Sequence, residues 1–404
     1  MKLSRDTLIE VSPTVAVEFD HGRVTATSEY GLVECGAELF GLFAAFRVPV
    51  TLQAGLERVS HANGSALRVD WVAASALALR CVDAGILRQV GTTDGREAVA
   101  ASPTTYEAPR IHIEMLEDRE RTDAYRRAIA ATVRPGDVVV DVGTGNGVLA
   151  VAAAQAGARI VYAIEQSGIA DTAARVFAAN GVADRVRIVR GTSSAVSLPE
   201  RADVMVSELI GHDALGERAL EYTSDAVKRF VKPGGKVIPS GLRVYAQGVE
   251  LDQELLEAHR VLPSTTARWR EWYGTEFAPF EALALVDGYR VYLPPHEAHA
   301  RCRNVTEPVT LAAIDLTAPS DTVECRATVN AVGGRLDAWL SWWELDLAPG
   351  CSISTEPGVA KVRCHWDCTL WFAGESRQVG PQERFELRYR RALTRTRLDV
   401  TPTA

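Results

Sequence analysis

DVVVDVGTGNGVLAVAAAQAGARIVYAIE, residues 137–165, decides the fold. An unbroken apolar run ends in Asp141, glycines follow at 143, 145 and 147, a helical stretch comes next, and a second apolar run ends in Glu165. Strands without polar alternation are buried on both faces, which means a parallel sheet covered by helices. The alternation continues through IADTAARVFAANG (169–181), VRIVRG (186–191), RADVMVSE (201–208) and SDAVKRFVKPGGKVIPS (224–240). The expectation for residues 106–240 is therefore an α/β, Rossmann-like domain.

The glycine turn also limits the ligand. It lacks the Gly-Lys-Ser/Thr ending of a phosphate loop, and the last two glycines are too close together for a dinucleotide fingerprint. Asp141, just before the turn, favours a bound cationic amine, and Glu165 at the next strand end suits the two hydroxyls of a ribose. A nucleoside with an amino-acid tail satisfies both acids, so the expected cofactor is S-adenosyl-L-methionine rather than NAD.

Upstream, IHIEMLEDRERTDAYRRAIAATV (111–133) is charged on one side and apolar on the other, which predicts one amphipathic helix stopped by Pro135 and Gly136. Residues 91–105 read as a linker. Residues 1–94 read as a small α+β domain, winged-helix-like, with a hairpin around DHG (20–22) and helical stretches at 36–46 and 70–90, the second capped by Asp70. Its role is expected to be peptide docking, scaffolding or dimerisation. Downstream, LRVYAQGV (242–249), EALALVDGYRVYL (281–293), DTVECRATVNAV (321–332), RLDAWLSWWELDL (335–347), AKVRCHWDCTLWF (360–372) and RFELRYRRAL (384–393) read as antiparallel strands. They predict a β-barrel-like domain over 241–404, with a short helix and a protruding segment in WREWYGTEFAPFEA (269–282).

Composition narrows the class. A chain of 404 residues has mass for two or three domains, and 47% apolar with 24% charged residues argues against disorder. The net charge of -8 disfavours a nucleic-acid partner and suits a cationic substrate. Seven scattered cysteines, an odd number, fit a reducing cytoplasmic setting. MKLSRDTLIE has no apolar export segment, and no uncharged run approaches the roughly 20 residues of a membrane span. No metal site is expected, because Cys364, His365 and Cys368 on a strand would point to opposite faces.

SELIGHDALGE (207–217) puts Glu208 and Glu217 on a reversing loop after an apolar strand. Together with DVGTGNG, HIEMLEDRERTDAY (112–125) and STEPGVAKVRCHWDCTLWF (354–372), four separated matches in the same order along the chain, it resembles the protein arginine methyltransferase family over about residues 106–395. The chain is identified as a divergent, bacterial-type member with an additional N-terminal domain. The resemblance implies a methyltransferase domain followed by a barrel, with the acceptor between them. It assigns Arg121 to the methionine carboxylate, Glu165 to the ribose and Met115 to the neighbourhood of the methyl group. Asp141, Gly143 and Gly145 would line the cofactor, with Ser194 at the adenine amine where the family has an acid. Glu208 and Glu217 would hold the acceptor guanidinium, His365 would pair with Asp118, and Trp366 and Tyr106 would wall the acceptor cleft. A homodimer formed through an arm near residues 275–300 is also implied.

The chemistry suits those roles. A guanidinium is a planar fork of five donors, so two converging carboxylates can fix which nitrogen faces the methyl group. They also draw positive charge toward the nitrogens that do not react. Glu221, one turn beyond Glu217, is a competing carboxylate. The departures lie around the acceptor: Ser102 stands where the family has a Tyr-Phe pair, and Leu209, Ile210, His212 and Asp213 replace larger residues in the glutamate loop. They point to free arginine or a specialised arginine peptide as acceptor. The alternatives are another small-molecule amine or hydroxyl as acceptor, or a non-catalytic peptide-docking module.

Overall fold

The computed structural model describes residues 4–12, 15–20, 23–28, 31–35, 38–60, 71–90, 109–216, 219–283, 285, 288–320, 322–392 and 395–403. The chain divides into two compact units, Met1–Ser102 and Pro103–Ala404. Asp70, Tyr106, Glu217 and the linker at 91–105 lie outside the described residues.

In the first unit, β1 (Leu8–Val11) is followed by β2 (Ala16–Asp20), β3 (Arg23–Ser28) and β4 (Gly31–Cys35). Then come α1 (Glu38–Ala45), β5 (Val50–Thr51), α2 (Leu52–Ser60), α3 (Trp71–Asp83) and β6 (Leu87–Gln89). The expected hairpin is the antiparallel β2–β3 pair, extended by β4. A separate sheet has the order β5-β1-β6. The stretch read as helical to residue 90 stops at Asp83, where Gly85 at φ +67° turns the chain into β6. Helix α2 had no counterpart in the sequence reading. The core gathers Ile9, Leu39, Leu42, Phe46, Leu77, Cys81 and Ile86.

The second unit opens with α4 (Pro109–Glu117) and α5 (Arg119–Thr132). The single helix expected over 111–133 is thus broken at Asp118, whose carboxylate accepts the Arg121 amide at 3.0 Å and caps α5. An Asp side chain competes for main-chain N–H groups and favours such a helix start over a helix interior.

Next come β7 (Val138–Val142), α6 (Val148–Gln155), β8 (Ile160–Glu165), α7 (Ile169–Ala179), β9 (Val186–Arg190), β10 (Ala202–Ser207), α8 (Ala219–Phe230) and β11 (Val231–Ile238). Their strands pair in parallel in the order β11-β10-β7-β8-β9. Every residue of β7 and β8 is buried, which is why both read as unbroken apolar runs. The chain runs outward from β7 in one direction and then returns to place β10 on its other side. Such a reversal opens a crevice beyond the strand ends, and Asp141, Glu165 and Glu208 all lie at those ends.

The remainder is β-rich: β12 (Gly241–Leu251), α9 (Gln253–Glu257), α10 (Pro263–Tyr273), β13 (Arg290–Leu293), α11 (Pro295–Arg301), β14 (Cys302–Asn304), β15 (Val309–Asp315), β16 (Val323–Asn330), β17 (Gly334–Ala348), β18 (Cys351–Ser354), β19 (Cys368–Val379), β20 (Arg384–Ala392) and β21 (Arg395–Thr403). Strands β13-β19-β17-β12-β14 form one antiparallel sheet, which β15 and β18 extend, and β16-β20-β21 form another. The strand expected over 360–372 starts only at Cys368, so Cys364, His365 and Trp366 occupy the turn before it. The strand expected over 281–293 is confined to β13.

Candidate active site

At two positions of the glycine turn an added side chain would meet both a close neighbour and a backbone conformation that favours glycine. Gly143 has φ +74°, and a Cβ there would lie 2.6 Å from Leu209 Cδ2. Gly147 has φ +85°, and a Cβ would lie 2.5 Å from Phe177 Cε1. Positive φ is strained for any L residue. The turn is tied to β8 by the amides of Gly143 and Thr144, which donate to Ile164 O at 3.0 Å each. The Gly145 amide donates to Glu165 Oε2 at 3.0 Å. Glu165 Oε1 accepts the Ser167 amide and hydroxyl at 2.8 Å each. Glu165 thus braces both sides of the crevice.

Asp141 is buried at the bottom of the turn. Its Oδ2 accepts the Thr144 hydroxyl at 2.5 Å, while Oδ1 has no hydrogen-bond partner. Burial pushes its carboxyl up to about 7, opposed by the Thr144 bond and reinforced by the Glu165 charge. An orphaned buried acceptor is costly unless a ligand satisfies it.

The α4–α5 break supplies the opposite charge. Asp118 Oδ1 caps α5, and Oδ2 accepts the His365 amide at 2.8 Å. The expected pairing of His365 with Asp118 therefore runs through the His365 main chain instead of its ring. Because His365 sits in a turn, its amide faces the carboxylate.

Arg121 is 6% exposed. Its Nη1 donates to Met115 O at 3.3 Å, its Nη2 donates to Glu208, and its Nε has no partner. Its Cζ lies 5.4 Å from the centre of the Trp366 ring. Burial works against the Arg121 charge, but Glu208 outweighs it and the pKa stands above its ordinary value. Met115 is buried beside it. The fully buried Tyr125 donates to Ser207 O at 3.3 Å. Burial raises its phenol pKa well above the usual value, and it feels the charges of Glu208, Arg121 and Asp141.

Glu208 starts the loop after β10, where its Oε1 accepts the Ile210 amide at 3.3 Å. Two indoles hold that loop by its carbonyls: Trp366 Nε1 donates to Ile210 O at 2.6 Å and Trp343 Nε1 to His212 O at 3.3 Å. The indoles meet edge-to-face at 4.7 Å. Trp366 is 1% exposed, so it supports the loop and Arg121 from beneath instead of walling an open cleft. Asp213 anchors the loop further along, accepting from Arg290 Nη1 at 2.9 Å and from the Thr396 hydroxyl. Glu221 is held by Arg391 Nη2 at 2.7 and 2.6 Å, which commits it to a structural pair.

Burial lowers the pKa of the His365 ring, and the Arg121 charge lowers it further. Ser194 is exposed and shares a 3.1 Å bond with Thr192, whereas Ser193 beside it is buried with an unpaired hydroxyl. Among the described residues no group of three or more His, Cys, Asp or Glu is placed to hold a metal. Trp343 was missed as a site residue, and His212 was placed beside the acceptor without a role of its own. Trp343 left no local signal, whereas Tyr125 lies in the matched HIEMLEDRERTDAY segment, one helical turn after Arg121.

A family model described as ribosomal protein L11 methyltransferase (PrmA) matches residues 118–274. Over part of its length the chain is similar to protein arginine methyltransferases. It is 38% identical over 176 residues to a probable protein arginine N-methyltransferase 6 of Arabidopsis thaliana, covering 43% of this chain and 39% of the relative. It is 31% identical over 264 residues to a probable histone-arginine methyltransferase CARM1 of Oryza sativa subsp. indica, covering 62% and 48%. The chain spans under half the length of these relatives. In fold it is similar to the Trypanosoma brucei PRMT1 enzyme-prozyme complex with AdoHcy, at TM-score 0.59 and 23% identity over 74% of this chain and 99% of that one. It is also similar to protein arginine methyltransferase 10 of Arabidopsis thaliana, at TM-score 0.56 and 24% identity over 70% and 88%. Among the described residues no helix is long and apolar enough to cross a membrane.

Proposed function

We propose that this chain transfers a methyl group from S-adenosyl-L-methionine to a guanidino nitrogen of arginine, free or in a specialised peptide. The observation that carries the reading is a pair of orphaned buried atoms of opposite character, the Arg121 Nε donor and the Asp141 Oδ1 acceptor, both within the electrostatic reach of Tyr125. An α-amino acid tail has the complementary charges, a carboxylate for Arg121 and an ammonium for Asp141. Glu165 is the proposed partner of the ribose, and the buried hydroxyl of Ser193 is a better candidate than Ser194 for a polar contact near the base. The similar Trypanosoma brucei complex is one with AdoHcy, the demethylated form of this donor.

The bound donor supplies an electrophilic methyl group on a sulfonium. Glu208 holds the acceptor, and its carboxylate already meets a guanidinium, that of Arg121. Arg121 thereby joins the two substrates: Nη2 steadies Glu208 while Nε remains for the donor carboxylate. Glu217 is proposed as the second arm of the socket. Two carboxylates on one fork give direction as well as attraction, and in-line positioning contributes most of the acceleration. Asp118, through the His365 amide, holds the 362–367 turn beside Arg121, and Met115 packs next to the transfer path.

The first unit is proposed as a winged-helix-like docking or scaffolding domain, residues 1–94, followed by a methyltransferase domain (106–240) and a barrel (241–404). A homodimer through the segment after β12 is supported by its exposed Trp272, Tyr273, Phe280 and Leu283. A cytoplasmic setting is proposed for the whole.

The test is incubation with labelled donor and a panel of free L-arginine, arginine peptides and bulk protein, with mass analysis of the acceptor. Label on a guanidino nitrogen is the expected result, and label confined to another amine or to a hydroxyl refutes the reading. Glu208→Gln is expected to lower kcat by about 10²–10³-fold while donor affinity changes far less. Equal kcat in variant and parent removes Glu208 from the mechanism.

A further inference from the structure

The function proposed above, on which this inference rests, releases one proton per turnover. The sulfur–methyl bond breaks, a nitrogen–carbon bond forms, and one N–H bond of the methylated guanidinium must then break. His365 is poorly suited to keep that proton. Its main chain, and not its ring, engages Asp118, and a cationic ring would face the Arg121 charge within a desolvated turn.

We infer that His212, paired with Asp367, takes up this proton and passes it to solvent. His212 lies four residues after Glu208 on the same loop, and its carbonyl is pinned by Trp343. Its Nδ1 accepts the main-chain N–H of Asp367 at 2.8 Å, while Asp367 Oδ2 stands 3.6 Å from that same nitrogen. One residue therefore offers Nδ1 both a donor and an acceptor. The neutral ring keeps a lone pair on Nδ1 and its proton on Nε2, the tautomer that the amide bond selects. On protonation Nδ1 becomes a donor, and a small rotation exchanges the amide for the carboxylate. Each protonation state has a partner within reach, as a group that cycles once per turnover requires.

The His212 and His365 ring centres are 6.1 Å apart, close enough for transfer through one water, and Tyr292 of β13 covers His212 at 5.1 Å. The Asp367 carboxyl pKa is raised by burial, with Glu297 of α11 and Glu114 of α4 adding to the effect and His212 and His296 opposing it. Around His365 stand Arg121, Glu208 and Asp118. The His212 side chain is 38% exposed, which gives the proton an exit. His212 acts through His365 and does not touch the acceptor, so it is a positioning residue for the proton rather than a catalytic one.

The experiment compares His212→Asn and Asp367→Asn with the parent. Asn at 212 retains an acceptor near the Nδ1 position, and Asn at 367 retains the amide, so the loop keeps its hydrogen bond. His212→Asn is expected to lower kcat by about 10²-fold with both KM values unchanged, to lose the acidic limb of the kcat–pH profile, and to regain rate in imidazole buffer. Asp367→Asn is expected to shift that limb to lower pH, since the cationic ring loses its counter-charge. A limb unchanged in both variants, or a loss confined to KM, overturns the inference.

The nitrogen-15 spectrum of the His212 ring in the resting protein is independent of turnover and of variant folding. A protonated Nε2 beside an unprotonated Nδ1 is expected for the neutral ring, and the opposite tautomer overturns the inference. If no guanidine is methylated while the expected tautomer is present, the function proposed above has failed. If methylation proceeds with the opposite tautomer, only the His212 inference has failed.

Discussion

Replacing Asp118 with alanine tests whether one carboxylate joins the helix break to the turn that carries His365. The side chain caps α5 through Arg121 N at 3.0 Å and holds the His365 amide at 2.8 Å, and the residue is 5% exposed. Losing a cap costs about 1 kcal/mol, and an amide left without its partner in a largely buried site costs about 1–2 kcal/mol more. At roughly 2–3 °C per kcal/mol for a unit of this size, Asp118→Ala should lower the melting temperature by about 4–9 °C. Asp118→Asn should fall about half as far. Asparagine caps as well as aspartate, but its single oxygen cannot serve both amides. Tryptophan fluorescence on thermal unfolding is the assay. Seven of the eight tryptophans lie beyond residue 102, and Trp366 adjoins His365. A melting temperature for Asp118→Ala within about 1 °C of the parent would refute the reasoning, as would equal losses in both variants.

Asp141 gives a pH signature. Its carboxyl is pushed up to about 7 by burial, so in the ligand-free protein the neutral form is favoured in acid, and the stability it contributes is lost as pH rises through that value. A donor ammonium requires the ionised form, so calorimetric titration should show donor affinity rising with pH through the same range and levelling off above it. Asp141→Asn should bind more weakly and without that dependence; a variant that keeps the parent's pH dependence refutes the assignment. Trp366→Phe removes the 2.6 Å bond to Ile210 O and leaves that carbonyl buried, which should cost about 1–3 kcal/mol in denaturant unfolding and reduce Glu208-dependent turnover. Unchanged stability and turnover would show that the indole does not hold the loop.

The parallel sheet was legible because burial on both faces leaves an unbroken apolar run, as in β7 and β8. The break at Asp118 was hidden because helices on either side of a cap share the same amphipathic periodicity. CHWDC alternates apolar and polar residues and reads as a strand, but Asp118 and His212 both capture amides of the 364–367 segment and bend it away from β19. Strand β21 was overlooked because Pro402 argues against a strand; it is tolerated since β21 pairs on one side only.

The site divides along the same line. The half proposed for the donor is local: Asp141, Gly143 and Glu165 fall at the ends of adjacent strands, where spacing along the chain maps directly onto spacing in the crevice. The half proposed for the acceptor is assembled from distant segments, since Arg121 reaches Glu208 across 87 positions and His212 meets Asp367 across 155. No periodicity encodes such pairs. Only the requirement that buried polar atoms be satisfied predicts them, and that requirement can be applied only after folding has brought the atoms together. Among the atoms it leaves over, Arg121 Nε and Asp141 Oδ1 are therefore the most informative: one is a buried donor and the other a buried acceptor, and the two ends of a zwitterion would satisfy both.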